Sequence, residues 1–357
     1  MESNQVSRRE FVQGAAATAA GMAVGAGLMA SADRAVAGPA TAPAPDPRKT
    51  RGYNENMEYR RLGRTGLMLS AVSMGGHWKR IPFGEDSEDF RKNRREVISA
   101  ALDHGINYID ACWSGEVMVY AEALGRRRDR IFFGFDWQGG RDPQITGSLE
   151  RMKQQLDEGL KTARLEYVDI WRVTLREQAT RNTEREIETV AAALEWGKKT
   201  GKARATGIST HHRAWIAEAV SKYPSFEVII TPYSAGSKEK PVGSMFDAMR
   251  KHDVGLIGIK PFAGGSLFGS GGTPDSPTKQ EDDERARMAI RYVLCNDVLT
   301  AAIPGLITVD QVMNVAAAIQ ERRQFDRAEA ARYETLTDRM WADLPDDYQW
   351  LRQWEWV

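Results

Sequence analysis

Residues 144–173 read QITGSLERMKQQLDEGLKTARLEYVDIWRV, and the two halves of this stretch follow different periods. In the first half Leu149, Met152, Leu156 and Leu160 recur at steps of three and four, and charged or polar residues fill most of the gaps. That spacing predicts an amphipathic helix over Gln144–Ala163. The second half, Tyr167–Val173, is a short, mostly apolar run of strand length. Working outward, the same alternation repeats along the chain. Strands are expected at Ala71–Met74, Ile106–Asp110, Ile131–Phe135, Tyr167–Val173, Arg204–Ile208, Glu227–Thr231, Gly255–Ile259 and Leu299–Ile303. A second clear helix spans Glu186–Thr200 and stops at Gly201. Eight strand–helix units predict an α/β fold, a closed (β/α)8 TIM barrel. An open doubly wound sheet needs a glycine-rich phosphate turn after an early strand, and Gly75-Gly76 lacks that spacing. Before the barrel, Glu58–Leu62, the turn Arg64-Thr65-Gly66 and Leu67–Leu69 form an N-terminal β-hairpin cap.

Composition narrows the function classes. The chain has 357 residues, 42% of them apolar, enough for a barrel core and its extensions. Lys+Arg and Asp+Glu both number 49, and no basic stripe stands out, so nucleic acid is not an expected partner. Cys112 and Cys295 are far apart and form neither a disulfide framework nor a metal-type spacing. At the N-terminus, Ser7-Arg8-Arg9-Glu10-Phe11 precedes an Ala- and Gly-rich run, Gly14–Ala30, too weakly apolar for a stable membrane span. Small-residue cleavage sites follow at Ala30-Ser31-Ala32 and Ala35-Val36-Ala37. This resembles a twin-arginine signal. It implies the twin-arginine translocase as a partner, export of an already folded body, and a periplasmic or other extracytoplasmic location. The expected organisation is a signal peptide at 1–37, a linker at 38–56, the barrel at 57–323, and a C-terminal helix with an aromatic-rich tail over the barrel at 324–357.

Several motifs then appear in a fixed order. They are Met57-Glu58-Tyr59-Arg60-Arg61-Leu62-Gly63-Arg64-Thr65-Gly66, Gly105-Ile106-Asn107-Tyr108-Ile109-Asp110, Leu165-Glu166-Tyr167-Val168-Asp169-Ile170, Gly201-Lys202-Ala203-Arg204-Ala205-Thr206-Gly207-Ile208-Ser209, Lys260-Pro261-Phe262-Ala263-Gly264-Gly265 and Ile303-Pro304-Gly305. Together they resemble the aldo-keto reductases from about residue 57 to about residue 320. The resemblance implies an oxidoreductase that reduces carbonyls with NADP(H), using a tyrosine acid tuned by a lysine, an aspartate and a histidine. Asp110 stands at the aspartate position. Gly115 stands where the tyrosine belongs, Asp136 where the lysine belongs, and Thr174 where the histidine belongs. The next tyrosine, Tyr120, falls inside the following helix and reads as a packing residue. For the cofactor, the resemblance implies Ser209, Thr210, Lys260, Gly264 and Gly265, while Ile230, Ile259, Leu306 and Ile307 replace family side chains that hold the nicotinamide and the adenosine phosphate.

The strand ends offer another set of groups. Asp110, Asp136 and Arg172 have the parity to face one barrel mouth, and His77 stands in the first loop. Two like charges at one mouth need compensation, either from Arg172 or from a divalent metal held with histidines. The Arg172 network, with no metal, is the expected arrangement. Trp341, Tyr348, Trp350, Trp354 and Trp356 crowd the tail, either sealing it onto the body or meeting a planar ligand. The function expected is an exported aldo-keto reductase-like oxidoreductase with an altered active site, acting on a small polar carbonyl or alcohol such as a sugar. The alternatives are a non-catalytic ligand-binding barrel and a metal-dependent lyase, isomerase or hydrolase.

Overall fold

The computed structural model of the chain describes residues 45–76, 81–137, 140–176, 181–269 and 272–357. A small antiparallel ribbon comes first: β1 (Tyr59–Arg61) pairs with β2 (Met68–Ser70), Tyr59 opposite Ser70. Its turn ends on Gly66 at φ 71°, a left-handed conformation glycine adopts without strain. Eight parallel strands follow: β3 (Met74–Gly75), β4 (Tyr108–Ala111), β5 (Phe132–Phe135), β6 (Val168–Thr174), β7 (Ala203–Ser209), β8 (Val228–Pro232), β9 (Gly255–Ile259) and β10 (Leu299–Ile303). Their order in the sheet is their order in sequence. The seam is drawn together by Val72 opposite Ala302, with Ala302 N donating to Ala71 O at 2.8 Å and Ser73 N to Ala302 O at 2.9 Å. This is the (β/α)8 barrel expected from the eightfold alternation.

Helices α1 (Glu88–Asp103), α2 (Ser114–Leu124), α3 (Pro143–Thr146), α4 (Leu149–Thr162), α5 (Glu184–Lys199), α6 (Ile216–Lys222), α7 (Met245–His252) and α8 (Lys279–Val293) lie between the strands in sequence, and α9 (Val309–Gln320) and α10 (Arg327–Ala342) follow the last strand. The helix expected over 144–163 is two helices. Gly147 ends α3, and Ser148 starts α4 by accepting a hydrogen bond from Arg151 N. A serine whose side chain caps a new helix competes with continuing the old one. The first barrel strand is also displaced from its expected 71–74 to Met74–Gly75: Ala71 N donates to Glu58 O, while Ala71 O and Ser73 N bond with Ala302 at the β10 seam.

Strand alternation divides the core in two. Tyr108, Phe132, Ile170, Ala205, Val228, Ile230, Ile257 and Ile303 fill the barrel, and Leu62, Leu67 and Leu69 of the ribbon join them. The larger cluster lies between strands and helices. Below the barrel, the fully buried Asp169 accepts from Arg51, Arg128 and Arg204 at 2.5–3.0 Å. Arg51 belongs to the stretch read as linker, so part of that stretch is docked against the body. The chain end is docked as well: Trp341 and Trp354 are buried, and Val357 N donates to Lys238 O. Among the described residues, no helix is long and apolar enough to cross a membrane. The proposed signal, residues 1–37, lies outside the described residues.

Candidate functional site

Asp110 leaves β4 on the same inner face as Tyr108, and Arg172 leaves β6 on the same face as Ile170. They meet at the mouth. Arg172 Nε donates to Asp110 Oδ1 at 3.0 Å and Nη2 to Oδ2 at 2.7 Å, a two-pronged pairing that fixes both planes. The remaining edge of the guanidinium is also engaged. Nη2 reaches Ala111 O at 3.3 Å and Cys112 Sγ at 3.1 Å, and Nη1 donates to the Thr174 hydroxyl. Asp136, just past the end of β5, lies 4.0 Å from Nη1 and accepts from Thr174 N at 2.7 Å. Arg172 is 1% exposed, Asp110 3% and Asp136 4%, so these charges act on one another with little screening by water. Burial alone would push the Arg172 guanidinium down. Asp110, Cys112 and Asp136 outweigh that and hold it well above the ordinary arginine range. Tyr108 adds a donor from below, its hydroxyl on Asp110 Oδ1 at 3.1 Å, and burial pushes that phenol far above its usual range. The expected three-residue unit therefore forms, but unevenly: Arg172 pairs with Asp110 and only touches Asp136.

The pair lines a cleft of about 450 Å³, together with Cys112 and Ser209. Lys260, Gly264, Gly265, Lys279, Gln311 and Asn314 line the same cleft. Ile230, Ile259, Leu306 and Ile307 supply apolar wall. Lys260, Ala263, Gly264 and Gly265 all have positive φ. A Cβ on Gly264 would lie 2.8 Å from the Tyr348 ring, so glycine lets the tail pack directly on the loop backbone. Thr210 does not line the cleft. Alternation turns it away from Ser209, and its hydroxyl accepts from His212 N at 3.0 Å. His77 lies outside the described residues. Gly115 is the second residue of α2, and Tyr120, on the same helix, is fully buried with its hydroxyl on Gly75 O. Among the described residues, no group of three or more His, Cys, Asp or Glu has metal-holding geometry. Both Asp110 oxygens are occupied by Arg172.

The sequence profile of the Aldo/keto reductase family matches residues 71–287. The chain belongs to the aldo/keto reductase family. It is 25% identical over 298 residues to an L-galactose dehydrogenase of Arabidopsis thaliana, covering 74% of this chain and 89% of that protein. It is 26% identical over 265 residues to an L-glyceraldehyde 3-phosphate reductase of Escherichia coli (strain K12), covering 65% and 69%. Among solved structures, the holo form of an aldo-keto reductase from Bacillus halodurans superposes with a TM-score of 0.60 at 21% identity, covering 78% of this chain and 96% of that one. An aldo/keto reductase from Klebsiella pneumoniae in complex with NADP and acetate gives 0.59 at 18% identity, covering 78% and 95%.

The residues present suit the nicotinamide dinucleotide that this family implies. Gly265 gives the cleft backbone without a side chain and Lys260 gives it a positive charge, both suited to an anionic phosphate, while the face of Gly264 is covered by Tyr348. Ser209 adds a hydroxyl to the same cleft. Sequence reasoning passed over Gln311 and Asn314. Their three-residue spacing at the start of α9, just past Ile303-Pro304-Gly305, is the signal that places both on the cleft side.

Proposed function

We propose that this aldo/keto reductase is an exported, nicotinamide-dependent oxidoreductase acting on a small polyhydroxylated carbonyl or alcohol, with a proton relay different from the family's. The observation that carries this reading is one cleft lined by the buried Asp110–Arg172 pair, the glycine loop, Gln311 and Asn314 together. The named relatives support the substrate class, since one acts on L-galactose and another on L-glyceraldehyde 3-phosphate. The Klebsiella complex with NADP supports the cofactor class. Export rests on the arginine pair Arg8-Arg9 ahead of the weak apolar run.

A bound reduced nicotinamide supplies the hydride. The chain's task is to place the carbonyl and protonate its oxygen as the C=O π pair moves onto it. Gly115 has no group for this, and Arg172 holds its proton too tightly to give it up. Cys112 lines the cleft beside the pair, and its thiol can carry a proton. Once the proton has passed to the substrate oxygen, the thiolate rests against Arg172, 3.1 Å away, and water returns a proton to it. Asp110 keeps the guanidinium in place for that role. Transfer of label from deuterated reduced cofactor to a sugar carbonyl tests the reading, and Cys112→Ala slows that transfer by roughly 100- to 10,000-fold, the usual loss of an acid catalyst.

A further inference from the structure

The tail lies on the groups that suit the cleft to a phosphate. A 3-10 helix, Asp346–Trp354, packs on the turn Ala263–Gly265. It is tied down at both ends. Trp341 is buried ahead of it, Trp354 is buried at its close, and Val357 N donates to Lys238 O at 2.8 Å just beyond. Between these anchors two rings reach the loop. The Tyr348 ring stands on Gly264, where a Cβ would lie 2.8–2.9 Å from its carbons, so the ring fills the space over that residue. Trp350 engages Lys260, whose Nζ lies 5.5 Å from the ring centroid, and His211 stacks on the same ring at 4.3 Å. The Trp350 indole N–H is spent within the helix on Asp347 O at 3.0 Å, so ring contacts hold it to the body. Asp347 and Tyr348 both line the cleft.

We propose that Tyr348 is an autoinhibitory cover, competing with the diphosphate of the nicotinamide dinucleotide for the face of Gly264, while Trp350 competes for Lys260. This rests on the oxidoreductase reading above. A diphosphate needs backbone that it can approach and a cation beside it. The tail withholds both, and the Asp347 carboxylate adds a like charge to the path. Because the segment is anchored at both ends, opening is a swing of the two rings rather than release of the tail. The form that binds cofactor is then the minor one, and the apparent affinity falls by its share of the population. NADP(H) and NAD(H) carry the same diphosphate, so the cover handicaps both alike.

The test titrates the full chain, Tyr348→Ala, Tyr348→Phe and Trp350→Leu with NADPH and with NADH by calorimetry, with thermal unfolding confirming each fold. Tyr348→Ala should bind both cofactors at least about tenfold more tightly, since a minor open form holds about 10% of the population or less. Trp350→Leu, away from Gly264, should tighten both as well by freeing Lys260. Tyr348→Phe should match the wild type, because the contact is made by the ring. Unchanged or weaker binding by Tyr348→Ala overturns the cover and leaves the oxidoreductase reading standing. Tightening of one cofactor alone overturns competition for the shared diphosphate. Tightening by Tyr348→Ala but not by Trp350→Leu removes Trp350 from the cover. Binding of neither cofactor by the wild type or any variant overturns the oxidoreductase reading itself, and this inference with it.

Discussion

At the scale of single residues, the mouth turns on buried charge. Asp136 brings a carboxylate towards Asp110, and Arg172 is the cation that contacts both in a site almost closed to water. This much was legible, because strand parity placed all three on one face. What parity does not convey is reach. Arg172 closes both prongs on Asp110, while Asp136 is held mainly by Thr174 N. Arg172→Met is expected to cost about 3–5 kcal/mol, since it strands two buried carboxylates. A double-mutant cycle in urea should give a larger coupling between Arg172 and Asp110 (as Asp110→Asn) than between Arg172 and Asp136 (as Asp136→Asn). Simple additivity with Asp110→Asn would contradict the pairing described. The contact of Cys112 with Arg172 depends on where the chain turns after β4.

At the scale of elements, strands were easier to place than their ends. Runs such as Gly255–Ile259 and Leu299–Ile303 match the structure because both faces of a parallel strand are buried and the apolar run has clear edges. The helix over 144–163 was overextended because its apolar period passes through the Gly147-Ser148 break. The start of α5 shows what a cap contributes. Thr183 and Glu186 cap each other, and Glu186 also accepts from the Thr146 hydroxyl of α3 at 2.7 Å and from Arg176 at 2.6 Å. Burial alone would raise the Glu186 carboxyl. Its hydrogen bonds with Thr183 and Thr146, together with Arg176, outweigh that and hold it below its ordinary value of 4.5. A carboxyl depressed by folding contributes stability above that ordinary value, and the contribution is lost as pH falls through the folded one. Glu186→Gln should therefore lower stability by about 1 kcal/mol at neutral pH. Its deficit should shrink as unfolding is followed below pH 4.5. A deficit independent of pH would mean that Glu186 acts through packing and not through its charge.

At the scale of the whole molecule, the barrel was readable from its eightfold alternation, while the cleft was readable only in part. Ser209, Lys260, Gly264 and Gly265 line it at strand ends, but Gln311, Asn314 and Tyr348 enter from α9 and from the tail, where no strand parity reports direction. The tail itself does two jobs. Trp341 and Trp354 seal it, whereas Tyr348 lines the cleft and Trp350 stacks on His211 with centroids 4.3 Å apart. Lys260 Nζ lies 5.5 Å from the centroid of the same Trp350 ring. On the proposed twin-arginine route, the docked chain end and the Arg51 anchor belong to a body that folds before it crosses a membrane. Changing Arg8 and Arg9 together to Lys should leave the precursor in the cytoplasm, as followed by fractionation. Normal export of that double variant would refute the route.

The central proposal is that this mouth moves a hydride. The direct measurement is a single turnover with NADPH and, separately, NADH carrying deuterium at the transferable position, mixed with aldoses and with simple aldehydes, and read by mass spectrometry of the products. The account predicts label on the former carbonyl carbon of a polyhydroxylated substrate, slow or absent transfer to simple aldehydes, and a marked loss with Cys112→Ala. Tight cofactor binding with no label in any product would contradict it and leave a barrel that binds dinucleotides without using them.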